Sequence, residues 1–318
     1  MRANRVHRYG PPEVIDFEEV ERPAPGPGEV LIRVQAAGVG PWDAWMRAGK
    51  SALPQPLPLT LGADVSGTVE ATGDGVRDLR PGDGVFGVTN AHFTGGYAEY
   101  AVASAAMLAP KPERLSHVEA AAAPVVAVTA LQMLFDRARV ASGHTVLIQG
   151  AGGSVGACAV QLARRAGARV IATTLSSDVD YVRGLGAAMV IDSDEIAFED
   201  AVDGVDVVID TVGGAVQRKS LGMVKPGGVL VSSVSEPDPR EAERRGIRAS
   251  FLPVAVTTAH LLRLAALMDA GELAVRIGTV LPLAKASHAH KMLEGVRKRP
   301  PGKIVLRNRE ASGGTETH

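Results

Sequence analysis

Residues 145–167 read TVLIQGAGGSVGACAVQLARRAG. A short Val/Leu/Ile run ends at Gly150, glycines recur at Gly153 and Gly156, and a segment with helical spacing follows. In that order of strand, turn and helix, glycine permits a tight turn, a close approach of backbone N–H groups to a pyrophosphate, and close packing of helix on strand. The helix N-terminus then meets the anion with its partial positive charge. Gly150, Gly153, Ser154, Val155 and Gly156 are therefore expected to bind a dinucleotide.

The segments downstream keep the same rhythm. RVIATT (169–174), DVDYVRGLG (178–186), MVIDS (189–193), DVVIDTV (206–212) and GGVLVSSV (227–234) alternate strand with helix. Val/Ile runs without polar alternation are strands buried on both faces, and strands separated by helices imply parallel βαβ units. The expected fold class is α/β, with a doubly wound parallel sheet spanning 124–254.

Residues 1–123 have another texture. Short apolar runs, EVLIRVQAAGV (29–39), VSGTVEATG (65–73), DGVFGV (83–88) and YAEYAVA (97–103), are separated by Gly/Pro turns, which predicts a β-rich domain. The alanine-rich helical stretch 117–138 leads out of it. After Phe251 a helix over 257–273 precedes GKIVLR (302–307), a strand expected to return to the first domain, so that 1–123 and 255–318 form one discontinuous unit. The polar ending REASGGTETH (309–318) is expected to be disordered.

Length and composition narrow the function classes. The 318 residues are about twice the ~150 taken as a prior for one domain. With 46% apolar and 22% charged residues and a formal net charge of -1, neither a nucleic-acid surface nor a membrane patch is suggested. No stretch reaches the ~18 apolar residues of a membrane span, and the N-terminus lacks a signal-peptide core. One cysteine, Cys158, excludes an internal disulfide and any multi-thiolate zinc site, and fits a reducing cytoplasm. Cys158 itself reads as a small buried apolar residue.

The end of the second strand bears on which dinucleotide is bound. An Asp or Glu about 20 residues past the glycines usually accepts from the ribose 2′-hydroxyl of NAD. Here the stretch is Ala172-Thr173-Thr174-Leu175-Ser176-Ser177, with no acid before Asp178. Lacking that carboxylate, and with Thr173, Ser176 and Ser177 nearby, the site is expected to favour NADPH over NADH. Asp178 and Asp180 weigh against a phosphate, Arg183 is the nearest cation, and SSD also reads as a cap for the next helix.

Taken together, PAPGPGEVLIRVQAAGVGPWDAWMRAG (23–49), LPLTLGADVSGTVEATGDGV (57–76), RPGDGVFG (80–87), GGYAEYAV (95–102), AAAPVVAVTAL (121–131), QGAGGSVG (149–156), DVVIDTVGG (206–214) and GKIVL (302–306) resemble the zinc-independent quinone oxidoreductases of the medium-chain dehydrogenase/reductase superfamily. The resemblance implies a GroES-like catalytic domain built from both chain ends, a Rossmann domain between, a nicotinamide in the cleft, and a homodimer. It places Thr129 beside the nicotinamide, Thr211, Val212 and Gly213 under the cofactor, Ser232 and Ser233 after the fifth strand, and Phe251 and Leu252 where the pocket closes.

Zinc-dependent alcohol dehydrogenases share the architecture. Where they carry catalytic ligands this chain has Gly40, Ala63 followed by Asp64, and Pro124, so no metal is expected and simple alcohol oxidation is not. Many relatives have Asn in Gly-Val-Asn-Pro where this chain has Gly40. The catalytic residues are left unassigned, with Trp42, Asp43, Arg47 and Tyr97 as candidates. The expected activity is hydride transfer to a small-molecule quinone, with two alternatives: reduction of conjugated enones or enals on the same scaffold, and dinucleotide binding without turnover.

Overall fold

The computed structural model describes residues 1–53 and 55–308, so the tail expected to be disordered lies outside the described residues. Two compact units divide the chain. The first comprises Met1–Val125, Val256–Asp269 and the described residues from Arg276 onward; the second comprises Val126–Ala255 and Ala270–Val275.

In the second unit the strands are β1 (Thr145–Gln149), β2 (Arg169–Thr174), β3 (Met189–Asp192), β4 (Val205–Asp210), β5 (Val224–Ser232) and β6 (Arg248–Phe251). They pair parallel throughout, in the order 3-2-1-4-5-6 of dinucleotide-binding sheets. Val146, Leu147 and Ile148 are all fully buried, the burial expected of a strand covered on both faces. The helix Ser154–Arg165 packs Ala157, Cys158, Ala159 and Val160 inward. Its Gln161 clamps Ala270–Val275 to this unit, donating to the Ala274 carbonyl at 2.9 Å and accepting from the Ala274 N–H at 3.0 Å. No local pattern in 255–318 announces that clamp.

The first unit is a β-rich body of the GroES-like kind, built on the 11-residue strand Glu29–Val39. One edge of this strand pairs with Asp64–Thr72. The other edge is shared: residues 29–33 pair with Tyr100–Ser104, and residues 36–39 pair antiparallel with Lys303–Arg307 near the end of the chain. A bulge between Val34 and Ala36 accompanies the change of partner. Val30, Ile32 and Val34 pack with Val65, Val85 and Leu108, while Ala37, Val39, Ile304 and Leu306 join a second cluster around Tyr97, Ala289 and Met292. Among the described residues no helix is long and apolar enough to cross a membrane.

A buried ion pair ties the last strand to this sheet. Lys303, 4% exposed, donates to Asp64 Oδ2 at 3.0 Å, and the Val125 N–H donates to Asp64 Oδ1 at 2.9 Å. Removing one partner of such a pair leaves a charge without compensation in a dry interior. Lys303→Met is expected to cost about 3 kcal/mol of unfolding free energy in urea, and adding Asp64→Asn should recover more than half of that loss. Equal stability of the single variant and the parent would contradict this account.

Candidate dinucleotide site

At the end of β1 the chain turns at Gly150, whose φ of 76° lies in the left-handed region. A Cβ there would approach Thr211 Oγ1 to 2.6 Å, and one on Gly156 would lie 2.4 Å from the Gly150 carbonyl oxygen. Side chains lock the turn from both flanks. Thr173 Oγ1 accepts from the Gly150 N–H (3.3 Å) and donates to Gln149 Oε1 (2.6 Å), Thr211 Oγ1 donates to the Gln149 carbonyl (2.7 Å), and Gln149 Nε2 donates to Ser220 (3.0 Å). The helix Ser154–Arg165 starts from exposed Gly153 with no side-chain cap on its first turn. A twelve-residue helix opening on uncapped amides is suited to an anion.

These groups open onto a cavity of about 750 Å³ at the carboxyl ends of β1–β4. Its walls are Gly150, Gly152 and Gly153 of the turn, Thr173, Thr174, Leu175 and Asp178 beyond β2, Ser193, Asp194 and Glu195 beyond β3, and Thr211, Val212 and Lys219 beyond β4. Cofactor sites span roughly 300–1,000 Å³ and sit at this edge of such sheets. Size, position and glycine geometry fit a dinucleotide.

Of the residues expected from sequence, Gly150, Gly153, Thr173, Thr211 and Val212 line the cavity. Ser154, Val155 and Gly156 form the first turn of the helix. Ser176 and Ser177 are exposed outside the lining and face carboxylates: Ser176 Oγ donates to Asp192 Oδ1 and its N–H to Asp194 Oδ2, both at 2.9 Å, and Ser177 Oγ lies 3.5 Å from Asp178 Oδ2. Ser232 is buried and donates to Asp210 Oδ2 at 2.8 Å; Ser233 Oγ lies 3.5 Å from the Asp210 carbonyl oxygen. Asp210 also accepts from the Val212 and Gly213 N–H groups (3.0 and 2.9 Å), shaping the loop beyond β4. Thr129 is buried in the helix Pro124–Leu131, and Leu252, beside Phe251, donates its N–H to the Ser232 carbonyl. The reading of the chain overlooked Gly152, Ser193–Glu195 and Lys219, although the acids directly after MVID mark the carboxyl end of a third parallel strand.

In the first unit Asp43, Arg47 and Tyr97 are buried, and Trp42 is half-buried. Asp43 Oδ2 accepts from the Gly40 N–H (2.8 Å) and the Tyr97 hydroxyl (2.9 Å) at the start of the helix Pro41–Arg47. Burial pushes the Asp43 carboxyl up to about 7, against the Gly40 hydrogen bond and nearby Lys303. Burial, reinforced by Asp43, raises the Tyr97 phenol well above its ordinary range. Arg47 pairs with Glu294 at 2.5 Å. These contacts hold the helix in place, and the raised Tyr97 phenol is not suited to releasing a proton near neutral pH. The Gly40 departure has a spatial counterpart: a Cβ on Gly40 would lie 2.2 Å from the Trp42 ring, so the indole fills the space a side chain at 40 would use. Lys303 Nζ lies 4.5 Å from the centroid of that ring.

Gly40, Ala63 and Pro124 offer no side-chain ligand atoms, and Asp64 is held by Lys303, so the residues present do not fit a catalytic zinc. Among the described residues no three His, Cys, Asp or Glu side chains come together as a metal-binding group.

Known proteins share this geometry. Residues 26–113 match the alcohol dehydrogenase GroES-like domain family and residues 185–306 the zinc-binding dehydrogenase family. The quinone oxidoreductase of Sus scrofa is 36% identical over 325 residues, covering 96% of this chain and 97% of that protein. A solved NAD-dependent alcohol dehydrogenase is 33% identical with a TM-score of 0.88, covering 96% of this chain and 99% of that one. A mycobacterial protein solved with NADPH is 31% identical with a TM-score of 0.86, covering 96% and 100%.

Two measurements probe these arrangements. Gly156→Ala drives a Cβ against the Gly150 carbonyl, an overpacking of about 1–3 kcal/mol, and should weaken reduced-dinucleotide binding about tenfold in a fluorescence titration; unchanged affinity would mean that the turn does not carry the binding. His290, fully buried with no protein hydrogen bond to either ring nitrogen, is depressed to about 3 by burial and by Arg47. An unfolded histidine takes up its proton near 6.5, so folded stability is lost as pH falls from about 6.5 toward 3. Asp43 acts in the opposite sense, costing stability as pH rises from about 4 toward 7. In urea unfolding, His290→Leu should gain on the parent progressively as pH drops from 6.5 to 4; parallel curves would count against it.

Proposed function

Since this chain belongs to the quinone oxidoreductase branch of the medium-chain dehydrogenase/reductase superfamily, and is an NAD(P)H-dependent oxidoreductase, we propose that it passes hydride to quinones or similarly conjugated carbonyl acceptors without zinc. The observation that carries this reading is the locked glycine turn opening on a cavity of dinucleotide size at the carboxyl edge of β1–β4.

The bound nicotinamide supplies the hydride chemistry. The chain's own residues bind and orient. Gln149, Thr173 and Thr211 fix the turn, the uncapped amides of the helix Ser154–Arg165 receive the pyrophosphate, and Asp210 holds the loop 211–213, of which Thr211 and Val212 line the cavity. Gly40, Ala63 and Pro124 provide no Lewis acid for an alkoxide, which favours acceptors that delocalise the incoming charge in their own conjugated system. With Tyr97 committed to Asp43 and Arg47 to Glu294, solvent is the proton source in this reading.

The two solved relatives differ in cofactor, one NAD-dependent and one holding NADPH, so relatedness leaves the cofactor preference to this chain's own residues. The expected NADPH preference rests on the absence of an acid at the end of β2 together with Ser176 and Ser177, whose hydroxyls and amides face Asp192, Asp194 and Asp178. The reading also includes a homodimer, as the family resemblance implies, and a reducing cytoplasmic setting in keeping with a single cysteine.

The test is loss of reduced-nicotinamide absorbance with quinones, conjugated enones and an alcohol–aldehyde pair, with and without chelator. Turnover of quinones or enones that chelator leaves unchanged is expected, with the faster class naming the acceptor. Chelator-sensitive alcohol oxidation, or cofactor binding without turnover of any acceptor, would overturn the reading.

A further inference from the structure

We propose that Gln132 is a positioning residue for the nicotinamide half of the dinucleotide, acting through the backbone of Ala255. The inference rests on the dinucleotide reading above and concerns the half of the ligand that lies beyond β4–β6.

A sheet of order 3-2-1-4-5-6 joins two mononucleotide-binding halves, and a dinucleotide lies across the carboxyl ends of both. With the glycine turn at the end of β1, the adenosine half falls beyond β1–β3 and the nicotinamide half beyond β4–β6. After β6 the Leu252 N–H donates to the Ser232 carbonyl at 2.8 Å, and the chain then runs over 252–257 outside any helix or strand. Pro253 and Ala255 are exposed, so apolar burial does not fix their backbone. A buried amide grips it instead: Gln132 Nε2 donates to the Ala255 carbonyl at 2.9 Å, and Gln132 Oε1 accepts from the Ala255 N–H at 3.2 Å.

An irregular turn places that amide. Directly after the helix Pro124–Leu131 the coil widens over Gln132–Arg137, and the Ala138 N–H reaches back five residues to the Met133 carbonyl at 3.0 Å. Wide turns of this kind are frequent at functional sites. Here Gln132, Met133 and Leu134 are buried in succession, and the Gln132 amide finds its partners on a backbone 123 residues away. The same unit holds a second clamp of this form, Gln161 on the backbone of Ala274. The two amides make the same bonds and differ in what they hold: Ala255 continues the last strand of the sheet beyond its carboxyl end, whereas Ala274 lies in a segment that follows the helix Thr258–Asp269. Hydride transfer needs the reacting atoms within about 3–3.5 Å, and a displacement of about 1 Å costs much of the rate. The backbone that Gln132 fixes beyond β6 therefore sets the placement of the reacting ring.

The test compares the full chain with Gln132→Met and Gln132→Glu, and takes Gln161→Met as the control for lost stability. Calorimetry measures affinity for whichever of NADH and NADPH binds tighter and for its adenosine-side fragment, ADP-ribose or the 2′-phosphorylated form. Single-turnover absorbance measures hydride transfer to the fastest quinone or enone. Gln132→Met should slow hydride transfer about tenfold and weaken the dinucleotide about threefold, with the fragment unchanged. Gln161→Met should lose comparable stability in urea and keep the parent's hydride transfer. In Gln132→Glu the neutral acid repeats the donor and acceptor of the amide, so hydride transfer relative to the parent at the same pH should recover as pH falls and drop as the carboxylate forms. This variant keeps the bond from the Ala255 N–H and so reports even where the methionine variant does not fold. Parental hydride transfer and dinucleotide affinity in both Gln132 variants would overturn the inference and leave the reductase reading standing. Equal losses on dinucleotide and fragment, or the same kinetic loss in Gln161→Met, would reduce Gln132 to a structural residue and overturn it as well. A parent chain that binds neither dinucleotide would overturn both readings.

Discussion

A close backbone approach in the second unit sets the terms for what is built on it. The first turn of the helix Ser154–Arg165 comes so near the end of β1 that a methyl group on Gly156 would lie 2.4 Å from the Gly150 carbonyl oxygen. Only glycine permits that spacing, and only that spacing lets an uncapped helix N-terminus stand at the carboxyl edge of the sheet. The buried amide of Gln149 and the hydroxyls of Thr173 and Thr211 then fix the turn from neighbouring strands. The turn proposed to receive the anion is therefore a property of three strands and a helix, and the parallel order 3-2-1-4-5-6 brings them together.

The first unit solves a different problem with the same economy of position. Asp64 stands beside Ala63, where zinc-dependent relatives of this architecture carry metal ligands, and here it is the buried partner of Lys303 on the last strand. Gly40 and Trp42 make a comparable exchange: a side chain is given up at one position and an indole from two residues on occupies the space. A loss that looks like a missing functional group in one dimension is a repacking in three.

Legibility in the sequence follows the range of the interactions. The βαβ alternation and the glycine turn are readable, because each depends on local periodicity or on a motif with fixed spacing. The state of Asp43, Arg47 and Tyr97 was not. A seven-residue helix containing Asp and Arg reads as partly exposed, yet its Asp43 and Arg47 are buried, with partners in Tyr97 and Glu294 that lie 54 and 247 residues away. The attachment of Ala270–Val275 to the second unit, through Gln161 and the Arg165–Glu272 pair, escapes the sequence for the same reason.

The ribose end of the cavity lies between these extremes. Asp178 was visible in the sequence and weighed as an obstacle to phosphate, but spacing along β2 placed it beyond the strand, in a stretch that also reads as a helix cap. What the spacing omits is direction. Three residues in a tight turn advance the chain little and reverse it sharply, so a residue past the strand end can face back toward the glycines. A motif counted in residues assumes an extended path; when the path folds on itself, the chemical group arrives at the same place from another element.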